Sequence, residues 1–145
     1  MTSISFLHGA GDRIQSAAQW LRQAWDRREP VLVYVPDAEQ AARLDRVLWT
    51  QPALSFVPHC RADAPLADAT PILLTGRLDE RLDNPAQDSC LLNLSNDLPP
   101  TFSRFEQLVE IISIDDADRL PARERFKFYR DRGYAIESRD ISGGL

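Results

Sequence analysis

Pro30-Val31-Leu32-Val33-Tyr34-Val35-Pro36-Asp37-Ala38-Glu39-Gln40 is the stretch that decides the fold. Val31 to Val35 is an unbroken apolar run, the mark of a central strand buried on both faces, as in parallel sheets. Its flanks agree. Upstream, Ile14, Ala17, Ala18, Leu21, Ala24 and Trp25 recur at helical spacing. Pro30 closes that segment, because the residue before a proline avoids the α region. Downstream, Asp37 can cap a helix with Gln40 completing a capping box, and Ala41, Leu44, Val47 and Leu48 form the apolar stripe. An alternating strand over Ser3–Leu7 and a turn over Gly9–Asp12 precede the first helix. The order β-α-β-α implies an α/β domain, with a mostly parallel sheet flanked by helices in a Rossmann-like topology.

Beyond Trp49 the pattern loosens, and Pro52, Pro58, Pro65 and Pro71 crowd the next stretch. A short strand around Phe56 fits there. Pro71–Thr75, Ser89–Leu94 and Leu108–Ile114 read as strands, Gly76–Asp88 as a surface loop or hairpin arm, and Pro99–Phe105 as a short helical turn. A helix follows, with Pro121 suited to its first turn and Gly133 to its C-terminal cap. Ala135–Arg139 is a final strand. The length of 145 residues and the absence of a repeat or long linker predict a single domain, 1–145.

Composition removes several classes of function. No apolar run approaches the ~20 residues that span a bilayer, and Met1–Leu7 lacks the basic start and long apolar core of a signal peptide. A cytoplasmic bacterial protein is the expectation. Cys60 and Cys90 form neither a disulfide framework nor a zinc spacing, and read as small buried hydrophobes. His8-Gly9-Ala10-Gly11-Asp12-Arg13-Ile14 has Ile14 where a dinucleotide fingerprint needs a third small residue, so it reads as a tight turn. Asp115, Asp116 and Asp118 stand where a strand ends and a helix begins, which favours capping over cation binding. His59 beside Cys60 reads as structural or interfacial. No catalytic residue, cofactor or metal is expected.

The strongest functional signal is electrostatic. From Arg119 to Tyr134, Arg119, Arg123, Arg125, Lys127, Arg130 and Arg132 stand against Glu124 and Asp131, a net +4 on a chain whose total is -5. Lys127 is the only lysine. At 100° per residue Arg123, Phe126, Lys127 and Arg130 share one arc, joined by Arg119 if the helix starts before Pro121, while Ala122 and Tyr129 lie on the core side. Arginine clamps carboxylates bidentately, lysine adds a point charge, and an aromatic walls an apolar pocket. Such parts hold an acidic peptide with a free C-terminus, or a phosphate. Trp49 and Phe56 are either core aromatics or a partner-facing pair.

These two blocks resemble the chi subunit of bacterial DNA polymerase III holoenzyme. The residues that carry the resemblance are Leu44-Asp45 with Leu48-Trp49, then Ser55-Phe56-Val57-Pro58-His59, and Ala122–Lys127 with Tyr129-Arg130 and Gly133-Tyr134. Phe126 stands where the family pattern has tyrosine, which removes a hydroxyl and keeps the apolar wall. The resemblance implies a non-catalytic accessory subunit of the replisome. It implies a site for the acidic C-terminal tail of single-stranded-DNA-binding protein at Arg119, Arg123, Phe126, Lys127 and Arg130. It implies an interface with the psi subunit of the clamp-loader complex at Leu48, Trp49, Phe56, Val57 and Pro58. A repair helicase is a further implied partner for the latter surface, and DNA contact would be mainly indirect. Direct binding of single-stranded nucleic acid by the basic helix is the alternative.

Overall fold

The computed structural model describes residues 2–50, 58–61, 72–78 and 89–145. Its elements are β1 (Ser3–Ala10), α1 (Arg13–Asp26), β2 (Val31–Tyr34), α2 (Ala38–Thr50), β3 (His59–Arg61), β4 (Ile72–Thr75), β5 (Cys90–Asn93), β6 (Gln107–Ser113), α3 (Asp116–Asp131) and β7 (Ile136–Asp140). A single turn of 3-10 helix, Phe102–Arg104, precedes β6. The described strands form one seven-stranded sheet in the order β3-β4-β2-β5-β6-β1-β7. Every described pairing is parallel. The α/β class read from the sequence is what the chain adopts. The strand expected around Phe56, and most of the loop expected over Gly76–Asp88, lie outside the described residues.

Side-chain alternation divides the core between the two faces of the sheet. Val31, Val33, Val109 and Ile111 point to one face and pack with Ile14, Ala17, Leu21, Leu44 and Leu48 of α1 and α2. Leu32, Leu108 and Ile112 point to the other, where Ile4, Phe6, Ala122 and Tyr129 close the second cluster. The stripe Ala41, Leu44, Val47 and Leu48 is buried as its spacing requires. Asp37 accepts from the amides of Glu39 and Gln40, and Asp12 caps α1 through the amides of Ile14 and Gln15. Arg43 and Asp12 form an ion pair that links α2 to the start of α1.

Three local expectations are corrected. The first strand does not stop at Leu7 but runs to Ala10, with a register shift against β6 between Leu7 and Ala10. Gly9 supplies it, at φ +84, and a Cβ there would meet Asp140 Oδ1 at 2.6 Å. Second, the helix before Pro30 ends at Asp26 through a left-handed Arg28, whose guanidinium stacks over Trp25 at 3.9 Å. The amide of Glu29 then donates to Ala24 O, closing the turn before the proline is reached.

Third, Pro121 does not begin α3 but lies inside it. Asp115 is the cap, accepting from the amide of Ala117 at 3.1 Å, and Asp116 and Asp118 occupy the first turn. A proline within a helix leaves one carbonyl four residues back without its donor. Here that carbonyl, Ala117 O, accepts from Asn96 Nδ2 at 3.2 Å. The far end closes as expected: Gly133 has φ +84, its amide donates to Arg130 O, and the Tyr134 amide donates to Tyr129 O.

Candidate functional site

α3 follows β6 onto one face of the sheet, while α1 follows the adjacent strand β1 onto the other. That reversal opens a crevice at the carboxyl ends of β1 and β6, the usual ligand position of a doubly wound sheet. In this chain Arg13 fills it. The side chain is buried and donates through Nε to Ile111 O at 2.6 Å, through Nη1 to Asn96 Oδ1 at 2.8 Å and through Nη2 to Ser95 O at 2.9 Å. Asp118 stands 3.6 Å from Nη1 and accepts from Ser113 Oγ at 2.6 Å. The nucleotide position is thus occupied by the protein's own arginine, whose charge Asp118 balances.

A cleft of about 330 Å³ opens beside this plug, between α3 and the carboxyl ends of β1, β6 and β7. Its floor and walls are Phe6, Ile112, Ile114, Ala122 and Phe126. Its polar rim is His8, Ser113, Ser138, Arg119 and Arg123. Phe126 is half-buried, edge-on to Phe6 at a centroid distance of 5.1 Å, so it stands as a fixed wall. Of the five residues expected at a tail site, Arg119, Arg123 and Phe126 line the cleft. Lys127 and Arg130 lie one and two turns beyond Arg123 on the same exposed helix face, outside the cleft itself.

Local pairing thins the positive charge. Arg119 meets Asp116 one turn back, and Arg130 lies 3.5 Å from Asp131. Among the described residues Arg123 and Lys127 carry no ion pair. Arg125 leaves the surface altogether. It is buried and donates to Glu110 of β6, through Nε to Oε2 at 2.9 Å and through Nη2 to Oε1 at 3.2 Å. Asn93 Nδ2 and the Tyr129 hydroxyl also donate to Glu110, each at 2.9 Å. Burial, and next the Glu110 carboxylate, push the Tyr129 phenol well above its ordinary pKa, so it remains a donor. This network sets the rotation of α3 on the sheet. It turns Arg125 inward and leaves Arg123 and Lys127 outward.

The second constellation lies at the end of α2. Trp49 is 59 % exposed, so it is no core aromatic. Its ring meets His59 edge-on at 5.8 Å, and buried His59 pairs through Nε2 with Asp45 Oδ1 at 2.9 Å. His59, read from sequence as structural or interfacial, is buried and lies directly beneath the exposed Trp49. Leu48, counted with this surface on sequence, is instead fully buried: it faces the α1–α2 core and stands behind Trp49. Pro58 is half-buried, and Phe56 and Val57 lie outside the described residues.

The sequence reading misses His8 and Ser138 on the cleft rim and Phe6, Ile112 and Ile114 in its apolar part. Parity along β1 was the available signal, since His8 shares a face with Ile4 and Phe6. Cys90 is buried, its thiol pushed up to about 12 chiefly by desolvation, so it is an inert core residue.

The family model described as DNA polymerase III chi subunit, HolC, matches residues 1–137. The chain belongs to the chi subunit family. It is 30% identical over 125 residues to the DNA polymerase III subunit chi of Pseudomonas aeruginosa, covering 86% of this chain and 84% of that one. The chi subunit of Escherichia coli is 32% identical over 122 residues, 80% of this chain and 77% of its own length. That of Haemophilus influenzae is 29% identical over 117 residues, 81% and 79% of the two chains. The matched span contains both constellations and the whole of α3. As a chi subunit the chain has an accessory place in the DNA polymerase III of the replisome. No helix among its described residues is long and apolar enough to cross a membrane.

Proposed function

We propose that this chi subunit is a non-catalytic adaptor that grips the acidic C-terminal tail of single-stranded-DNA-binding protein in the α3 cleft. The observation that carries the reading is the pairing of chemistries at one place. An apolar pocket bounded by Phe6, Ile112 and Phe126 has Arg119 and Arg123 at its mouth, on a body of net charge -5. A terminal apolar side chain fits the floor, its carboxylate meets the arginines, and preceding acidic residues run along Arg123, Lys127 and Arg130. The acidic body disfavours indiscriminate binding of nucleic acid and favours a short anionic peptide.

The exposed Trp49, resting on buried His59 with its half-exposed partner Asp45, is the anchor of a second surface, with Phe56, Val57 and Pro58 a few positions on in sequence. We assign that surface to the psi subunit of the clamp-loader complex, with a repair helicase as a competitor for it.

Titration with a peptide of the single-stranded-DNA-binding protein C-terminus tests the first surface. Micromolar binding that weakens with salt is expected. Arg123→Ala should weaken it about tenfold or more, as a lost charged hydrogen-bond donor. Lys127→Ala, the loss of an exposed point charge, should weaken it about two- to fivefold. Unchanged binding in both variants would sink the site assignment. Binding of an oligonucleotide alone with a steep salt slope would favour direct nucleic-acid recognition instead.

A further inference from the structure

We propose that His8 is the third cation of the α3 cleft, set on the wall opposite the arginines, which makes capture of peptide carboxylates proton-dependent; this rests on the tail-binding reading above. His8 lies near the end of β1 on the face that carries Ile4 and Phe6, and it is exposed at the cleft rim. α3 supplies cations from one side of the cleft only, as Arg119 and Arg123. On the opposite, strand side His8 is the one titratable group among the described lining residues, beside Ser113 of β6 and Ser138 of β7. A carboxylate entering from the helix side therefore meets arginine on one wall and an imidazole on the other.

The charges around His8 give the linkage its sign. From β7, Asp140 is its register partner and lies on the same face. Hydrogen bonds from Ser142 hold that carboxyl below its ordinary value, and the nearness of His8 adds to the effect. From α3, Arg119 and Arg123 repel a protonated imidazole, with Asp116 offsetting Arg119. β6 contributes no charged side chain to the lining. A bound carboxylate screens the arginines and adds an attraction, so it favours the imidazolium. Ligand and proton then bind cooperatively, and by reciprocity affinity rises as pH falls.

The test is titration of the intact chain with the same acidic peptide from about pH 8 to about pH 5.5 at constant ionic strength. Peptide carboxyls, with ordinary pKa values near about 4, and arginines keep their charge throughout this window. Wild type should tighten by about tenfold toward the acidic end, the effect of one unit of coupling. His8→Gln should bind weakly with no slope. His8→Lys should bind tightly with no slope, because its charge is permanent over the window. A flat wild-type profile overturns the inference while leaving tail binding intact. So does a slope that persists in His8→Gln, which would place it on another group titrating in this window, His59 or the N-terminal amine. A His8→Lys variant as weak as His8→Gln overturns the charge role. Absence of peptide binding at every pH overturns the tail reading itself and this inference with it.

Discussion

Glu110→Ala is expected to lower the unfolding free energy by about 3–5 kcal/mol, the usual effect of removing one partner from a buried ion pair. Glu110 has no exposed surface and accepts from three side chains, Asn93, Arg125 and Tyr129. Its loss strands a guanidinium that is itself buried, one of whose nitrogens, Nη1, already has no hydrogen-bond partner among the described residues. In a chain of this size the change corresponds to a melting temperature lower by roughly 10 °C or more. Urea or thermal unfolding measures it. A loss below about 1 kcal/mol would mean that Arg125 finds water on relaxation. The triple variant Glu110→Leu, Arg125→Met, Tyr129→Phe should recover part of the stability, since apolar replacement of a buried ion pair is often neutral or better, while the Asn93 amide loses Glu110 as acceptor and keeps Asp97 O. If the network fixes how α3 sits, that repacked variant should still bind the tail peptide less well than wild type.

Trp49→Ala is expected to weaken psi or clamp-loader association by about thirty- to a thousandfold, the range for a central aromatic anchor. Stability should change by no more than about 0.5–1 kcal/mol, because the ring is largely exposed and touches His59 by its edge. Tail-peptide affinity should be unaffected. Leu48→Ala is the informative neighbour. Its side chain is fully buried, so it should cost about 2–5 kcal/mol of stability. Pull-down or surface-plasmon measurements with psi, paired with melting curves, separate the two effects. Association unchanged in a folded Trp49→Ala protein would show that psi does not dock on Trp49.

Much of the fold was legible because burial on both faces leaves a plain mark in strands. Val31–Tyr34 and Leu91-Leu92 read as apolar runs whatever they pack against. The strand order was not legible, since β1 pairs with β6 and β7 across most of the chain length and no local pattern encodes those partners. The start of α3 was misread because proline favours a first turn, whereas the donor that makes an internal proline tolerable sits on Asn96, in another loop. Arg125 carries the same letter as Arg123, yet it lies on the arc of Ala122 and Tyr129. That arc was the one hint that its charge turns inward toward a mid-strand glutamate. The cleft was half legible: α3 showed its helix wall in sequence, while its strand wall joins Phe6 and His8, more than a hundred positions away in the chain, to Ile112–Ile114 just upstream of α3 and Ser138 just downstream.

The central claim is that the tail of single-stranded-DNA-binding protein seats between α3 and the ends of β1 and β6, apart from the Trp49 surface. Amide chemical-shift mapping of the labelled chain during titration with the tail peptide tests it most directly. Saturable shifts are expected at His8, Gly9, Ile112–Ile114 and along Arg119–Lys127, with Trp49 and His59 unmoved. Shifts centred on Trp49 and His59, with the α3 cleft silent, would contradict it.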